Sequence, residues 1–456
     1  MPHTMAVGRG TARSPAGGRA PVDFTRSNEL KARLAAVIPG GAHTYAKGPD
    51  QYPELSPAVL THGKGCHVWD ADGHEFIEYG MGLRSVGLGH AYPEVVEAVR
   101  ASLDMGTNFT RPALIELECA EMLAAHVGAD MVKFTKDGSS ATSAALKLAR
   151  SATGRELVAL CADNPFFSYD DWFIATTTMA GGIRPLDLEA AVPFRYNDLA
   201  SVHEAFERNP GAIAAVFLEV TRLEPPVPGF LEGLRQACTD NGAVLVFDEM
   251  ITGFRYHLRG AQALYGVKPD LSTWGKAMAN GFSVSAIAGD RELMRLGSRE
   301  RAQDDVFLLS TTHGAETCSL AAAVRTMEIY QREPVVEHMY RQGERLAAGF
   351  REASARHGLA ELVRPIGFAP NLLFTTQDAE RHPSQPFRTL FLQELVRRGV
   401  LAPSLVVSYS HDDRDIDDTV EAIDGALGVY ARALEDGPER YLVGAPSRTV
   451  FDRRWR

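Results

Sequence analysis

Short segments that are apolar on both faces constrain the fold of this chain most strongly. Two of them, residues 212–218 and 243–247, show no alternation between polar and apolar side chains. A strand of this kind is stable only where helices cover both faces of its sheet, as they do around parallel sheets. Helical stretches separate such runs between about residues 113 and 315, and this order predicts an α/β domain with a largely parallel sheet.

Further segments of the chain carry strand patterns. Residues 66–70 and 74–79 flank Asp72-Gly73 and predict a hairpin. From Leu320 onward, helices and a short strand near 372–375 predict a second, smaller α+β unit. The predicted strands of the larger unit are 131–135, 157–161, 213–220, 244–248, 271–273 and 284–288.

The length of 456 residues exceeds the size at which a single hydrophobic core keeps growing, so more than one domain is expected. Five successive parts are predicted from composition and pattern. They are a disordered tail (1–27), an N-terminal arm with part of the small domain (28–90), a large domain (91–320), a C-terminal small domain (321–436) and a second tail (437–456).

Composition fits a soluble protein of enzyme size and leaves room for a cationic small-molecule partner. The net charge of −11 argues against a nucleic-acid surface, and no apolar run approaches the roughly 18 residues that a membrane span needs. The first 22 residues also lack the continuous apolar stretch of a secretory signal. Five widely spaced cysteines without a CxxC pair predict neither zinc nor disulfides, which favours the cytoplasm.

A carboxylate and a lysine are predicted to meet at one edge of the parallel sheet. Asp248 ends the apolar strand 244–248, and Lys276 follows the next predicted strand after Gly275. Ligands of α/β proteins bind at the carboxyl ends of the strands, where both residues are expected. Apolar neighbours can lower the pKa of a lysine in such a place, which makes its amine a nucleophile.

The segment 136–142 joins a predicted strand to a predicted helix and contains Gly138 and Ser139. Its backbone N–H groups and hydroxyls are expected to point at an anion on the helix N-terminus, and a phosphate fits there. Turns of this composition also occur as plain helix caps, so the segment alone does not establish a phosphate site.

Taken together, these segments resemble the class III (fold type I) pyridoxal-phosphate (PLP) aminotransferases, most closely their glutamate-1-semialdehyde aminomutase-like branch. The resemblance covers about residues 28–430. It implies an α/β fold with a large domain built on a mainly parallel seven-stranded sheet, a smaller α+β domain, and PLP as the cofactor. The most specific segments are Pro39-Gly40-Gly41, 68–73, 87–90, 247–255, and Pro269-Asp270-Leu271 leading into Gly275-Lys276.

The resemblance also implies roles for single residues. Lys276 is expected to hold PLP as a Schiff base, and Asp248 to pair with the pyridine nitrogen. Gly138 and Ser139 resemble phosphate-cup residues. Thr312 resembles the threonine that reaches the phosphate of the neighbouring subunit's cofactor, so a homodimer with shared active sites is expected.

These residue types suit the chemistry of amino-group transfer. A carboxylate at the pyridine nitrogen keeps the ring cationic, so that it accepts the electrons released when the Cα–H bond of the substrate breaks. Once the substrate amine has displaced Lys276 from PLP, its free amine can carry the proton. One lysine is thus expected to act as covalent anchor and as general base.

Several positions depart from the family pattern. Phe166 stands where the family has an aromatic residue over the cofactor ring, and it is expected to stack without offering a hydroxyl. Asp137 replaces the serine of the usual Ser-Gly-Thr phosphate turn and receives no role. Lys47, close to Tyr45, replaces an arginine for the substrate carboxylate and lacks its two-pronged geometry.

Two segments, 172–196 and 403–408, are shorter than in the aminomutases of this family, where a long loop retains the intermediate. Shortening favours ordinary transamination of a larger substrate, as in similar proteins that make amino sugars and aminoglycosides. The predicted substrate contacts are Tyr45, Lys47, Asp171 and Glu316. For the two acids, helix capping and solvated loops are the alternative.

The sequence therefore predicts a homodimeric PLP aminotransferase that moves an amino group from a donor such as glutamate to a carbonyl of a carbohydrate-like or other secondary metabolite. An aminomutase or isomerase that uses the same lysine on one bound substrate is the first alternative. A non-catalytic protein of the same fold, which binds without turnover, is the second.

Overall fold

The computed structural model describes residues 23–163, 167–221, 223–298 and 306–449. The helices are α1 (Thr25–Val37), α2 (Met81–Arg84), α3 (Pro93–Met105), α4 (Leu114–Val127), α5 (Gly138–Thr153), α6 (Asp171–Ile174), α7 (Pro185–Glu189), α8 (Leu199–Arg208), α9 (Phe230–Asn241), α10 (Gly260–Tyr265), α11 (Arg291–Met294), α12 (Thr317–Arg332), α13 (Val335–Arg356), α14 (Gln385–Arg397) and α15 (Asp413–Asp436). The strands are β1 (Leu60–Lys64), β2 (His67–Asp70), β3 (Glu75–Glu78), β4 (Met131–Thr135), β5 (Leu157–Cys161), β6 (Ala191–Phe194), β7 (Ile213–Leu218), β8 (Val244–Asp248), β9 (Leu271–Trp274), β10 (Ser285–Gly289), β11 (Pro365–Ile366), β12 (Asn371–Phe374), β13 (Val400–Leu401) and β14 (Leu405–Val406). Short 3-10 turns cover Pro39–Gly41, Tyr45–Lys47, Pro49–Gln51, Lys276–Ala279, Arg295–Gly297 and Pro438–Arg440.

The central sheet has seven strands in the order β4-β10-β9-β8-β7-β5-β6. All neighbouring strands run parallel except β10, which is antiparallel to both β4 and β9. Every residue of β7 and β8 is buried. Alternate side chains of β7 enter two cores: Val216 packs with residues of α8 and α9, and Phe217 with residues of α5. This confirms the predicted α/β architecture with a mainly parallel seven-stranded sheet.

Two smaller sheets complete the molecule. In the first, the order is β1-β2-β3-β13, with the C-terminal strand β13 parallel to β3. In the second, the order is β11-β12-β14. Helices α12 to α15 contribute to the largest hydrophobic cluster, together with residues of the first 100 positions such as Leu88 and Val95. The two ends of the chain therefore pack together beside the central sheet.

In the central sheet the predicted strands match the structure closely, with one omission, while β1, β11, β13 and β14 of the smaller sheets were not predicted. Strand β6 was not predicted, because its four residues include Pro193, which lacks the N–H of a central strand. The structure places β6 at the edge of the sheet, paired with β5, which is where proline is tolerated. The predicted N-terminal tail lies, for residues 1–22, outside the described part of the chain.

None of the helices in the described ranges combines the length and the apolar character that a membrane crossing requires.

Candidate active site

The carboxyl ends of β8 and β9 place Asp248 and Lys276 on the same edge of the central sheet. The two strands are parallel neighbours, and Asp248 lies opposite Thr273 in their register. Lys276 opens the 3-10 turn directly after β9, with a left-handed backbone φ of 46°. Asp248 is buried, and Lys276 is partly buried. The sheet thus brings the predicted pair to one edge, with Asp248 at the end of β8 and Lys276 on the turn that follows β9.

The hydrogen bonds of Asp248 orient its carboxylate. The Met250 amide donates to Oδ1 at 2.9 Å, and the Thr273 hydroxyl donates to the same oxygen at 3.2 Å. Among the described residues both bonds end on Oδ1, so Oδ2 is the oxygen best placed to accept a proton donor from a ligand.

Burial and charge act on this pair in opposite directions. Burial raises the pKa of Asp248, while the positive charge of Lys276 opposes that rise. Burial likewise lowers the pKa of Lys276, against the negative charges of Asp248 and Glu219. Because the lowered pKa leaves more of the amine neutral, Lys276 is a better nucleophile than an ordinary surface lysine.

Two glycines allow the surrounding segments to approach Met250 closely. A Cβ on Gly275 would lie 2.7 Å from the Met250 sulfur, and a Cβ on Gly138 would lie 3.0 Å from it. Side chains at these positions would therefore push apart the turn that carries Lys276, the segment after Asp248 and the start of α5. The glycines keep these three segments together.

Asp137 is the N-cap residue of helix α5. Its Oδ1 accepts the Ser140 amide at 2.8 Å, so the acid satisfies a helix N–H. Gly138 and Ser139 form the first turn, and the Ser139 hydroxyl oxygen accepts the Tyr169 amide at 3.0 Å. The predicted ring-stacking residue, Phe166, lies outside the described residues.

Thr312 lies in an exposed segment between β10 and α12. Its carbonyl oxygen accepts a hydrogen bond from the Asn108 side-chain amide at 3.0 Å. The chain around Asn108 displays an unusual number of exposed apolar side chains. They are Leu103, Met105, Phe109, Leu114 and Leu117, each more than half exposed.

The two predicted substrate residues of the N-terminal arm lie on the 3-10 turn Tyr45–Lys47. Tyr45 is 65% exposed, and Lys47 is exposed as well. Lys47 lines a cavity of about 330 Å³ together with Leu83 and His90. Lys276 and Asp248 are not among the residues that line this cavity. Within the described residues, this cavity therefore does not join Lys47 to the sheet edge.

The two predicted acidic contacts have different surroundings. Asp171 is the exposed first residue of α6. Glu316 forms an ion pair with Lys136 at 3.0 Å and accepts the Ser319 hydroxyl at 3.2 Å. Its hydrogen bond to Lys136 lowers the pKa of Glu316. This pair ties the segment before α5 to the start of α12.

Two residues near Lys276 were missed in the sequence. Glu219 follows β7 directly and is buried, and the rule that identified Asp248, an acid after an apolar strand, could have identified it. It lines a second cavity of about 310 Å³ with Asp163, Tyr196 and Asn197 at the same sheet edge. Arg84 carried no signal, because only the fold brings its segment to Lys276.

These residues fit the three groups by which PLP is bound. The Lys276 amine suits the aldehyde, and the buried Asp248 carboxylate suits the pyridine nitrogen. The N-terminus of α5, a helix of 16 residues, suits the phosphate, because its first N–H groups and dipole favour an anion. All three elements meet around Met250.

The chain is similar to known proteins over most of its length. The model of the aminotransferase class-III family matches residues 49–427. The glutamate-1-semialdehyde 2,1-aminomutase of Syntrophobacter fumaroxidans is 32% identical over 427 residues, which cover 88% of this chain and 97% of that protein.

Solved structures support the same assignment. The FumI protein of Sphingopyxis sp. MTA144, in its PLP internal aldimine form, superimposes with a TM-score of 0.83 at 30% identity, over 90% of this chain and 98% of that one. An omega-transaminase from Sphaerobacter thermophilus gives a TM-score of 0.78 at 26% identity, over 89% and 98% of the two chains. The fold is therefore PLP fold type I, and the chain belongs to the class III aminotransferase family.

Proposed function

We propose that this protein is a homodimeric aminotransferase that moves an amino group from a donor such as glutamate to a carbonyl carbon of a carbohydrate-like acceptor. As a class III aminotransferase it is an enzyme that uses PLP. The observation that carries the proposal is the placement of Asp248 and Lys276 at one edge of the sheet, where a second cavity lies at the ends of β5, β6 and β7.

Asp248 and Lys276 are the proposed catalytic residues. When bound, PLP supplies an electron sink that stabilises charge on the substrate Cα. The Asp248 carboxylate holds a proton at the pyridine nitrogen, and Oδ1 keeps its orientation through Met250 and Thr273. The Lys276 amine, with its lowered pKa, anchors the cofactor and moves the proton at Cα.

The remaining cofactor contacts are proposed at the first turn of α5 and across the dimer. Gly138 and Ser139 bind the phosphate through the helix N-terminus. Phe166 stacks on the ring, and Thr312 of one subunit reaches the phosphate bound by the other. The exposed apolar side chains near Asn108 support this dimer, because the Asn108 side chain bonds the Thr312 backbone and so joins that surface to the Thr312 segment.

The second cavity supports a hydroxyl-rich acceptor. Its lining includes Asp163, Asn197, Glu219 and Glu224, whose side-chain oxygens are hydrogen-bond acceptors, and those of Asp163 and Asn197 already accept the Tyr196 and Val227 amides. Tyr196 adds an aromatic face. Tyr45, Lys47, Asp171 and Glu316 remain proposed substrate contacts. An aminoglycoside or related amino sugar is the proposed product class.

The second candidate function is a glutamate-1-semialdehyde-type aminomutase. It is favoured by the names of the curated relatives, which are 32% identical to this chain. The short elements α6 and α7 between Trp172 and Tyr196 argue against it, since a lid that retains the intermediate is expected to need a longer loop.

No disulfide joins any of the five cysteines in the described part of the chain, and four of them are buried, which supports a cytoplasmic location as a further proposal. We also propose the domain division predicted from the sequence, in which the large domain spans residues 91–320.

Isotope transfer tests the reaction. The purified holoenzyme is incubated with glutamate labelled at nitrogen and with a panel of oxo sugars, and the products are analysed by mass spectrometry. The proposal expects label in the acceptor, 2-oxoglutarate in solution and ping-pong kinetics. Amino transfer within glutamate-1-semialdehyde, with no donor requirement and no loss of label to solution, would support the aminomutase instead.

A further inference from the structure

A cluster of three different metal-ligand groups lies outside the candidate active site. Cys66, His67 and Asp415 each offer one ligand atom, and these atoms all lie within 4.8 Å of one another. A thiol, an imidazole and a carboxylate together form a donor set that suits Zn²⁺. Neither Asp248 nor Lys276 belongs to this cluster.

Only the fold brings these three side chains together. His67 is the first residue of β2, and Cys66 precedes it directly. Asp415 lies in the first turn of α15, 348 residues after His67. Ligands so far apart in the chain leave no spacing pattern, which is why the cysteines predicted no zinc in the sequence.

The two oxygens of the Asp415 carboxylate each face one of the other groups. The Cys66 thiol donates to Oδ2 at 3.0 Å, and His67 Nε2 lies 3.0 Å from Oδ1. An ionised carboxylate only accepts hydrogen bonds, so each of these contacts contains a proton. One Zn²⁺ in place of the two protons leaves the net charge of the cluster unchanged. A metal therefore adds no uncompensated charge to this partly buried place.

The spacing of the ligand atoms is close to that of a zinc site. Zinc binds sulfur at about 2.3 Å and nitrogen or oxygen at about 2.0–2.2 Å, so neighbouring ligands of a tetrahedral ion lie about 3.3–3.8 Å apart. The two contacts of 3.0 Å need to widen only slightly. The His67 side chain is 23% exposed, which gives the ion a way in and leaves a fourth position for water.

Further contacts hold the ligands in place. Glu75 Oε1, on the neighbouring strand β3, lies 2.9 Å from His67 Nδ1. A carboxylate on the second ring nitrogen is the common partner of a metal-binding histidine, because it fixes the tautomer and the orientation of the ring. The Asp412 amide donates to Asp415 Oδ2 at 3.1 Å, and Cys66 is buried. The three ligands are thus oriented by the fold itself.

We propose that Cys66, His67 and Asp415 bind one Zn²⁺ per subunit, with Glu75 as the positioning residue of His67. On binding, the metal forms bonds to the sulfur, to Nε2 and to a carboxylate oxygen, and the thiol proton and the Nε2 proton pass to the buffer. The ion joins the start of β2 to the first turn of α15 and stabilises the packing of these distant parts of the chain. This site is independent of the proposed amino transfer.

The experiment measures Zn²⁺ binding to the reduced holoenzyme after metal has been removed with a chelator. Competition with a chromophoric zinc indicator gives the stoichiometry and the Kd, and melting temperatures are recorded with and without Zn²⁺. Cys66→Ala and His67→Gln each remove a ligand, and Glu75→Gln removes the positioning carboxylate. The matched controls are Cys119→Ala, which changes a buried cysteine of α4, and His203→Gln, which changes an exposed histidine of α8.

One Zn²⁺ per subunit is expected to bind, and the melting temperature should rise by about 2 °C or more at a hundredfold excess over the Kd. Cys66→Ala and His67→Gln should each weaken binding at least about 100-fold, and Glu75→Gln about 10-fold. The two controls should bind like the original protein. Co²⁺ should give the visible ligand-field bands of a tetrahedral thiolate site in the original protein but not in Cys66→Ala.

Absence of Zn²⁺ binding overturns the proposal and leaves the cluster as a set of hydrogen bonds. Binding that both Cys66→Ala and His67→Gln retain also overturns it, because the metal is then an adventitious ion only. If Cys66→Ala does not fold, His67→Gln decides by the same measurements. Its side chain is partly exposed, and its loss leaves the bond between the Cys66 thiol and Asp415 in place.

Discussion

The predicted site residues at the sheet edge and those on the loops differ in what holds them. Asp248 is the last residue of a fully buried strand, and Lys276 follows its parallel neighbour, so paired backbones set their separation. Tyr45, Lys47 and Asp171 are exposed, and short turns or helices carry them. Within one chain, the positions of the site residues are therefore fixed where strands end. The positions of the exposed residues around the site depend on the substrate or the partner subunit that binds there.

Substitutions at the strand ends and substitutions on the loops should therefore have different effects on activity. Residues at the strand ends are already desolvated, so their charges and hydrogen bonds act at full strength on the cofactor. Residues on exposed loops lose much of their electrostatic effect to solvent. Substitutions at the sheet edge should consequently change the rate of chemistry, and substitutions on the loops should mainly change binding.

The largest effect is expected for Lys276→Ala. Loss of the amine removes both the covalent anchor and the proton carrier, so turnover should fall below a few per cent of the original while the fold and dimer persist. Steady-state turnover, circular dichroism and gel filtration measure these properties. Lys268→Ala, which removes an exposed lysine paired with Asp290, is the control and should remain active. Substantial activity in Lys276→Ala would refute the assignment.

A smaller but still large effect is expected for Asp248→Asn. The amide keeps the shape of the side chain and can still accept from Met250 and Thr273, but it no longer stabilises a proton on the pyridine nitrogen. Cofactor should remain bound, while Cα–H cleavage slows by orders of magnitude in single-turnover measurements. Asp240→Asn on the surface of α9 serves as the control. An unchanged single-turnover rate would show that Asp248 has another role.

The sequence was sufficient for the parts of the site that depend on local pattern. Strand β8 is apolar on both faces and ends in Asp248, so its position at the sheet edge follows from periodicity and the rule for parallel sheets. The bounds of β4, β5 and β8 were predicted correctly for the same reason.

The parts that depend on distant contacts could not be predicted. The segment of Arg84 lies near Lys276 because the Asn280 side chain bonds the backbone of Leu88 and Gly89, and nothing in the sequence around Arg84 indicates that packing. Asp137 remained without a role because capping and phosphate binding use the same residue types at a helix start. The structure assigns it to the cap.

Substitution of Thr312 tests whether the loop of one subunit completes the active site of the other subunit in the proposed dimer. Thr312→Ala should weaken PLP binding by about 1–3 kcal/mol, the range for losing a hydrogen bond to a charged group. Mixed dimers of Thr312→Ala and Lys276→Ala subunits should regain activity, because each contains one site with both residues intact. Dissociation, mixing and reassembly followed by an activity assay at limiting PLP measure the recovery. The control is Thr239→Ala, which changes an exposed residue of α9. No recovery on mixing would indicate that Thr312 serves its own subunit.

The smallest effect is expected for Glu316→Gln, and it separates a substrate contact from an ion pair. The pair with Lys136 at 3.0 Å is only partly exposed, so its loss should lower the free energy of unfolding by roughly 0.5–1 kcal/mol at pH 7. The bond to Lys136 depresses the pKa of Glu316 below its ordinary 4.5 in the folded protein. The stabilisation is therefore present above pH 4.5 and is lost as the pH falls through the folded-state pKa.

Urea unfolding of the original protein and Glu316→Gln at several pH values should show a difference that is largest near pH 7, shrinks in acid, and shrinks in 1 M salt. Glu328→Gln, which removes an exposed pairing with Arg325 in α12, is the matched control and should show a smaller difference. Equal stability combined with a tenfold increase in the KM of the acceptor would instead make Glu316 a direct substrate contact. In that case the outer wall of the site would contribute to recognition within a single chain, and the contrast between strand ends and loops would be weaker than the geometry indicates.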